Sequence, residues 1–353
     1  MLPEAGDQGG MTAITKMYYE TGLFKNINNR HFKTSYSTNS KFLRIFEGVI
    51  LKIYFLKSIF LFKPRVIIVM TSSHWGFYDK CLYCLIANLF GIKSILNPVG
   101  GEFLKFYKKN KLNKFLVDIL IQSASVVVIG SNYWFEYFKN NFDSKVLINK
   151  IPNPVASEKF IRQNFKYLKG GKMRVITVGS LIKSKGVFEL AYIIKNPLFN
   201  TMNIEFHIVG TGDLLDWLRI ELESEIETGL VILHGRVSDK EKINLLTSSD
   251  VFLSLSHFEV IPISILEAMS ASLLIISSNV GGIPDLIEDG LNGYLVSLNN
   301  IEEVPLILSS LYSKQKSDVR EMGFFSRQKI ENNYDVNIII DAYENLSRSL
   351  VNN

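Results

Sequence analysis

The stretch from Ser256 to Ser270, SHFEVIPISILEAMS, constrains the fold of this chain more than any other. Its pattern is typical of a strand end, a tight loop and a helix. Pro262 suits the first turn of that helix, because the N–H that proline lacks would be unpaired there anyway. The backbone N–H groups of Val260 and Ile261 are then expected to point outward with the positive end of the helix dipole. This arrangement predicts a site for phosphate or another anion.

Two glutamates accompany this predicted anion site. Glu259 lies in the loop, and Glu267 lies inside the helix, five residues past Pro262 and roughly 7 Å along the axis. Two carboxylates at this spacing can hold two hydroxyl-bearing groups on either side of a diphosphate, which is the layout of a nucleotide-sugar. Taken alone, solvated glutamates at a helix start are the common alternative.

The alternation of strand, loop and helix recurs along the chain and favours an α/β fold. The run Met173–Val178 is almost continuously apolar, as expected for a parallel strand buried on both faces. Proline on both sides of Asn153 restricts the backbone and indicates a linker between two domains, residues 1–153 and 154–353. A length of 353 residues is consistent with that division.

Composition excludes disordered and fibrous proteins, since 47% of the residues are apolar and 21% are charged. The formal charge of +5 is compatible with an anionic small molecule or an anionic membrane as readily as with nucleic acid. Cys81 and Cys84 lie in an apolar helical pattern without a second pair that could complete a metal site, so we interpret them as core residues. Two cysteines indicate a reducing compartment, the cytoplasm.

The segment Phe42–Phe62 is apolar and close to the length that spans a bilayer. Four charged residues interrupt it, namely Arg44, Glu47, Lys52 and Lys57. These charges argue against a transmembrane helix. We predict a helix that packs on a sheet and can also lie against lipid headgroups. The lysine-rich stretch 105–114 is either a solvated face or a patch attracted to anionic lipid.

The E-x7-E pair, followed by LEAM, a strand over Leu273–Ser278 and GGIPDLIEDGLNGYLV, resembles the donor-site signature of the family-4 retaining glycosyltransferases, within the group 1 glycosyltransferases. The resemblance covers most of the chain, is strong from about Ile151 onward and weakens toward the N-terminus. It implies the GT-B fold, in which two Rossmann-like doubly wound parallel-sheet domains face a central cleft. It also implies that the last helix, about 335–351, crosses back onto the first domain.

By this resemblance, Glu259 holds donor-sugar hydroxyls, Glu267 holds the ribose, and Lys185 stabilises the diphosphate. The matching family loop usually reads G-R-x4-K-G, whereas GSLIKSKG (residues 179–186) begins with Gly179 and has Ser180 in place of the arginine. Lys183 is close enough in sequence to compensate for that arginine.

The resemblance implies further donor-binding positions in the second domain. The turn after one strand contains Gly210, and backbone groups near Arg236 and Val237 are expected to face the nucleotide base. Asp239 is predicted to cap the helix that follows. The N–H groups of Val260 and Ile261 remain available for phosphate, although Val260 stands where the family usually has glycine.

The resemblance also implies that two loops of the first domain approach the acceptor, the sugar or the phosphate. They contain Gly9 and Gly10 in the first loop, and Gly100, Gly101 and Glu102 in the second. Almost nothing precedes the first loop that could form the family's first strand, which we therefore predict to be absent or truncated. Val99 stands where many relatives have a histidine, and His74 is the candidate substitute.

The predicted function is transfer of a sugar, with retention, from a nucleotide-diphosphate sugar to a hydroxyl of a glycan, lipid-linked in our interpretation, during bacterial surface polysaccharide synthesis. We expect no cofactor and no metal, because no DxD carboxylate pair is evident. No nucleic-acid partner is expected, whereas peripheral contact with the inner face of the cytoplasmic membrane is. Two alternatives remain at this point: a degenerate, non-catalytic binding or scaffolding partner of the same fold, and a nucleotide-sugar epimerase.

Overall fold

The computed structural model describes residues 10–21, 30–32, 34, 36, 40–98, 103–142, 146–161, 172–313 and 316–352. They belong to two compact units, which we call unit 1 (Met1–Asn153 with Val336–Asn353) and unit 2 (Pro154–Asp335). Each unit contains one parallel sheet with helices between its strands. The prediction of an α/β fold with two parallel sheets is confirmed.

The described elements of unit 1 up to residue 150 are α1 (Gly10–Thr21), α2 (Lys41–Phe62), β1 (Val66–Thr71), α3 (Trp75–Leu89), β2 (Lys93–Pro98), α4 (Phe103–Tyr107), α5 (Lys111–Ile121), β3 (Val126–Ile129), α6 (Asn132–Asn141) and β4 (Leu147–Lys150). The four strands lie in the order β1-β2-β3-β4. Strand β1 pairs with β2 from Val66 opposite Lys93 to Thr71 opposite Pro98. The described residues before β1 form the helices α1 and α2 and no strand.

The elements of unit 2 are β5 (Met173–Val178), α7 (Val187–Ile194), β6 (Ile204–Val209), α8 (Leu215–Glu221), α9 (Glu223–Glu227), β7 (Val231–Gly235), α10 (Asp239–Ser248), β8 (Val251–Ser254), α11 (Ile263–Ser270), β9 (Leu274–Ser278), α12 (Ile283–Leu286), β10 (Gly293–Val296), α13 (Glu303–Ser313) and α14 (Lys316–Asn333). The sheet order is β10-β9-β8-β5-β6-β7, with all pairs parallel. The chain runs outward from β5 to β7 and then returns to place β8 on the other side of β5. The strand order therefore reverses between β5 and β8, and such a switch point is where α/β sheets bind ligands.

The last helix, α15 (Val336–Asn352), belongs to unit 1. Its Tyr343 packs edge-to-face on Tyr18 of α1, with 6.2 Å between the ring centroids. The side-chain amide of Asn97 donates a hydrogen bond to the Tyr343 hydroxyl. These contacts attach the end of the chain to the helices and sheet of unit 1.

Cys81 and Cys84 are fully buried in α3 and form no disulfide. Burial raises the pKa of both thiols, that of Cys84 to about 12. A thiol that stays protonated at neutral pH is a poor nucleophile and metal ligand. The interpretation of this pair as core residues is confirmed.

None of the helices in the described part of the chain, α2 included, combines the length and the apolarity that a membrane-crossing segment requires.

Candidate functional site

The carboxyl ends of the strands of unit 2 meet at one edge of its sheet, and the loops that follow them are joined by backbone hydrogen bonds. The N–H of Leu181 donates to Thr211 O at 2.9 Å, which links the loops after β5 and β6. The N–H of His257 donates to Ser184 O at 2.9 Å, which links the loops on either side of the switch point. Backbone hydrogen bonds therefore hold these loops together at the carboxyl edge of the sheet.

Two glycines allow these loops to approach one another. Gly281 has φ +55°, and a Cβ on it would lie 1.9 Å from Glu259 O. Gly210 has φ +147°, and its Cβ would lie 1.8 Å from Gly179 O. Any side chain at either position would displace the neighbouring loop as well as strain the backbone.

Lys185 and Glu259 form an ion pair across the switch point. Lys185 ends a short 3₁₀ turn after β5, and its Nζ donates to Glu259 Oε1. The hydroxyl of Ser256, two residues past the end of β8, donates to the same oxygen at 2.9 Å. The side chains of Lys185 and Glu259 are 36% and 12% exposed. Because an ammonium carries three donors, Lys185 can hold Glu259 and still donate to an incoming anion.

Glu267 lies inside α11 and is only 6% exposed. Burial raises the pKa of its carboxyl, and the ammonium of Lys242 opposes that shift in part. Lys242 Nζ, on α10, donates to Glu267 Oε1 at 2.6 Å. Sequence reasoning missed this partner, because four neighbouring residues at the start of α10 are charged and only the packing of α10 on α11 selects one of them.

Two helix starts differ from the prediction by one residue. Pro262 is the N-cap of α11, with an extended ψ of 123°, and the helix begins at Ile263. Ser238, not Asp239, caps α10: its side chain accepts from the N–H of Glu241, and the Glu241 side chain accepts from the Ser238 N–H. This reciprocal pair is a capping box, and it favours serine over the aspartate that follows it. Val260 and Ile261, in front of Pro262, are buried at 7% and 3% exposure.

The remaining predicted donor residues of unit 2 lie in loops at the same edge. Gly179 follows β5 and donates its N–H to Val209 O at 3.0 Å, and Gly210 follows β6 and donates to Gly235 O at 2.8 Å. Ser180, Lys183 and Arg236 are exposed, and Val237 is half-buried.

A further polar cluster, absent from the sequence predictions, lies on β6 and β7. His207 Nε2 is 3.0 Å from Glu205 Oε1, and His207 Nδ1 is 2.9 Å from His234 Nε2. Burial opposes ionisation of Glu205, but hydrogen bonds from His207, Lys172 and Arg174 prevail and lower its pKa to about 2. Burial, together with His207, lowers the pKa of His234. Because His234 directly precedes Gly235 and Arg236, this cluster fixes the start of the loop predicted to face the base.

His74 lies in unit 1, immediately before α3. It has φ +61°, it is exposed, and its Nδ1 is 2.9 Å from Ser73 Oγ. The helix that follows begins at Trp75. Gly10 is the first residue of α1, whereas Gly9, Val99, Gly100, Gly101 and Glu102 lie outside the described residues.

Within the ranges that the structure describes, no group of three or more His, Cys, Asp or Glu side chains is arranged to hold a metal ion.

Solved structures share this fold along almost the whole chain. A sucrose-phosphate synthase from Thermosynechococcus elongatus matches with a TM-score of 0.75 at 15% identity, over 99% of this chain and 95% of that one. HepE from Anabaena, in complex with UDP and glucose, matches with a TM-score of 0.69 at 15% identity, over 97% and 90% of the two chains. Two parallel α/β units with this similarity define a protein of the GT-B class.

Sequence comparison then identifies the family. The family described as Glycosyl transferases group 1 matches residues 159–323. An Escherichia coli relative, named UDP-Gal:alpha-D-GlcNAc-diphosphoundecaprenol alpha-1,3-galactosyltransferase, is 30% identical over 287 residues, which cover 76% of this chain and 72% of the relative. The chain belongs to the group 1 glycosyltransferases and is a glycosyltransferase.

Proposed function

We propose that the protein transfers a sugar from a nucleotide-diphosphate sugar to a hydroxyl of a glycan acceptor during bacterial surface polysaccharide synthesis. The observation that carries this proposal is the ion pair of Lys185 and Glu259 at the switch point of unit 2. A cation for the diphosphate and a carboxylate for sugar hydroxyls are the two groups that such a donor needs there. The E. coli relative is named for a UDP-sugar donor, and the HepE structure contains UDP and glucose, which supports a nucleotide-sugar donor here.

In the proposed reaction, the bond between the anomeric carbon and the diphosphate oxygen breaks, and a bond to the acceptor oxygen forms. Negative charge accumulates on the departing diphosphate, and a diphosphate oxygen takes up the proton that the acceptor hydroxyl loses. Lys185 donates to that charge, and the N-terminal end of α11 adds its dipole. Glu259 orients the sugar by accepting from its hydroxyls, and Glu267 accepts from the ribose hydroxyls.

We extend the proposal to a lipid-linked acceptor and to contact with an anionic membrane. The outward side of α2 exposes large apolar side chains, namely Phe42, Leu43, Ile45, Phe46, Val49, Ile53, Tyr54, Phe60 and Leu61. Basic residues outnumber acidic ones by six to one over residues 41–65. An apolar helix face with a basic surround suits the interface of an anionic bilayer. The E. coli relative is named for a diphosphoundecaprenol acceptor, which supports the lipid-linked substrate.

Retention and the family-4 assignment rest on the E-x7-E resemblance, and we propose them on that basis. The configuration of the new linkage, read from the anomeric proton coupling of the product by NMR, tests retention.

We also propose that no metal is required, because Lys185 and the helix dipole supply the positive charge. Activity that persists in EDTA is the expected result, and loss of activity that Mg²⁺ restores would contradict it.

Purified protein incubated with UDP-, GDP- and ADP-sugars and a lipid-linked glycan acceptor tests the central proposal. We expect acceptor-dependent release of the nucleoside diphosphate and a larger acceptor product. Conversion of the donor into an isomer without acceptor would favour an epimerase, and binding without turnover would favour a scaffolding role. Lys195→Ala is a suitable control for Lys185→Ala, because Lys195 pairs with Glu221 past the C-terminal end of α7, away from the carboxyl edge.

A further inference from the structure

The proposed role of Glu267 poses an electrostatic problem. A carboxylate that accepts from two ribose hydroxyls must be ionised, yet Glu267 is 6% exposed in the middle of α11. Burial disfavours the charged form of a carboxyl, and a protonated Glu267 would offer the ribose a poorer acceptor. Some neighbouring group must therefore keep the proton off Glu267 at neutral pH.

Few charged groups are placed to do so. On α10, Lys242 donates to Glu267 Oε1 at 2.6 Å, while the charge of Asp239 acts in the opposite direction. On α14, Arg327 donates to Ser270 O, at the other end of α11. Glu158 and Lys159, in the 3₁₀ turn Ser157–Phe160 that also packs on α11, are exposed. Lys242 is the only cation bonded to Glu267 among the described residues.

The lysine engages one of the two carboxylate oxygens of Glu267. Lys242 bonds to Oε1, and Oε2 takes no hydrogen bond from another described residue. The Lys242 side chain is 22% exposed, whereas that of Glu267 is 8% exposed. Truncating one partner of a buried charge pair is costly because the other charge is left uncompensated, and a carboxylate responds by taking up a proton.

We propose that Lys242 is a positioning residue of the donor site, which keeps Glu267 ionised and oriented to accept hydrogen bonds from the ribose hydroxyls of the nucleotide. This inference rests on the proposed function, since it assumes that Glu267 binds the ribose. It places a residue of α10, outside the E-x7-E pattern, in the donor site. The competing interpretation is that Lys242 occupies the ribose position and must move aside when the donor binds.

UDP binding by titration calorimetry between pH 5.5 and 8.5 distinguishes these interpretations. We expect Lys242→Met to bind UDP about tenfold more weakly at pH 7, because a hydrogen bond to a charged group is replaced by one to a neutral group. The affinity of this variant should rise with pH over a range where that of the wild type changes little, since its Glu267 loses the proton at higher pH. Lys242→Arg should restore most of the affinity, and Lys240→Met, an exposed position of the same helix, should have no effect.

Wild-type affinity in Lys242→Met at every pH, or tighter binding, would overturn the proposal. A second measurement does not depend on nucleotide: the titration of Glu267, followed by carbon NMR and assigned by its absence in Glu267→Gln, should move to higher pH in Lys242→Met. An unchanged titration would also overturn the proposal. Failure of the wild type to bind UDP, GDP and ADP would contradict the proposed donor function, while the NMR titration would still decide the role of Lys242.

Discussion

The two units use the carboxyl edges of their sheets differently. In unit 2 the loops at this edge hold the Lys185–Glu259 ion pair. In unit 1 three aromatic residues follow the strands: Phe77, Phe103 and Trp134 lie in the first turns of the helices after β1, β2 and β3, with ring centroids 5.3 and 6.0 Å apart. These rings are at most 3% exposed, so they form a core.

Two parallel sheets of the same kind therefore present different chemistry. At the carboxyl edge of its sheet, unit 2 has an ion pair, serine hydroxyls and loops whose backbones lie close together. A site for a charged nucleotide requires such groups. Among its described residues, unit 1 has packed aromatic rings near this edge, and its helix α2 exposes apolar side chains. We therefore propose donor binding for unit 2 and membrane contact for unit 1, and each proposal can be tested separately.

The largest effect is expected from Lys185→Ala. Removing a donor that stabilises developing charge should lower kcat about 100-fold. Release of the nucleoside diphosphate at saturating donor measures this change, with Lys195→Ala as the control. Turnover at the wild-type level would show that Lys185 takes no part in the mechanism. The carboxyl edge of unit 2 would then lack the cation proposed for it.

The next effect concerns unit 1. The double variant Phe42→Ser with Phe46→Ser should reduce partitioning onto phosphatidylglycerol vesicles about 30-fold, because two exposed aromatic side chains can no longer enter the bilayer interface. Vesicle co-sedimentation measures it. Ile220→Ser is the matched control, since Ile220 is 76% exposed but lies on α8 of unit 2. An equal loss in both variants, or no loss in the first, would end the assignment of membrane contact to α2.

Substitution of a glycine tests whether the close approach of two loops in unit 2 matters for activity. Gly281→Ala should lower kcat about tenfold, because its Cβ would displace Glu259 from its position. Gly290→Ala is the control: Gly290 also has a positive φ of +79°, but a Cβ there would meet no atom within 4 Å. Both variants strain the backbone, by about 1 kcal/mol. Thermal unfolding of each variant separates that shared strain from the displacement, and equal kcat values would show that the approach to Glu259 is unimportant.

The smallest effect is expected from Lys183→Ala. If Lys183 compensates for the arginine that Ser180 replaces, kcat should fall about threefold, a modest loss because the charge of an exposed lysine is screened by solvent. The assay is the one used for Lys185→Ala, and a silent variant would mean that Ser180 is not compensated by this lysine.

The sequence predicts much of unit 2, because its signals are local. The run MRVITV forms β5 within the predicted bounds, and the ends of parallel strands necessarily meet at one edge, so the proximity of the loops that carry Lys185 and Glu259 could be expected. The partner of Glu267 could not be predicted, because Lys240 and Lys242 are equally plausible candidates until α10 is packed on α11. The Glu205–His207–His234 cluster also depends on how β6 pairs with β7, which includes a register shift between Ile208 and Val209. The N-cap of α10 could have been predicted from the sequence, because S-x-x-E at Ser238 and Glu241 is the capping-box pattern. The prediction of Asp239 as the cap overlooked this pattern.

The central claim is that the carboxyl edge of unit 2 holds a nucleoside diphosphate with Lys185 on its terminal phosphate. The most direct test is the ratio of the UMP and UDP dissociation constants, measured by titration calorimetry for the wild type and for Lys185→Ala. We predict that the preference for UDP over UMP falls at least about tenfold in the variant, as the loss of a charge-assisted hydrogen bond implies, while UMP binding is retained. An unchanged preference for UDP over UMP would contradict the proposed contact between Lys185 and the terminal phosphate.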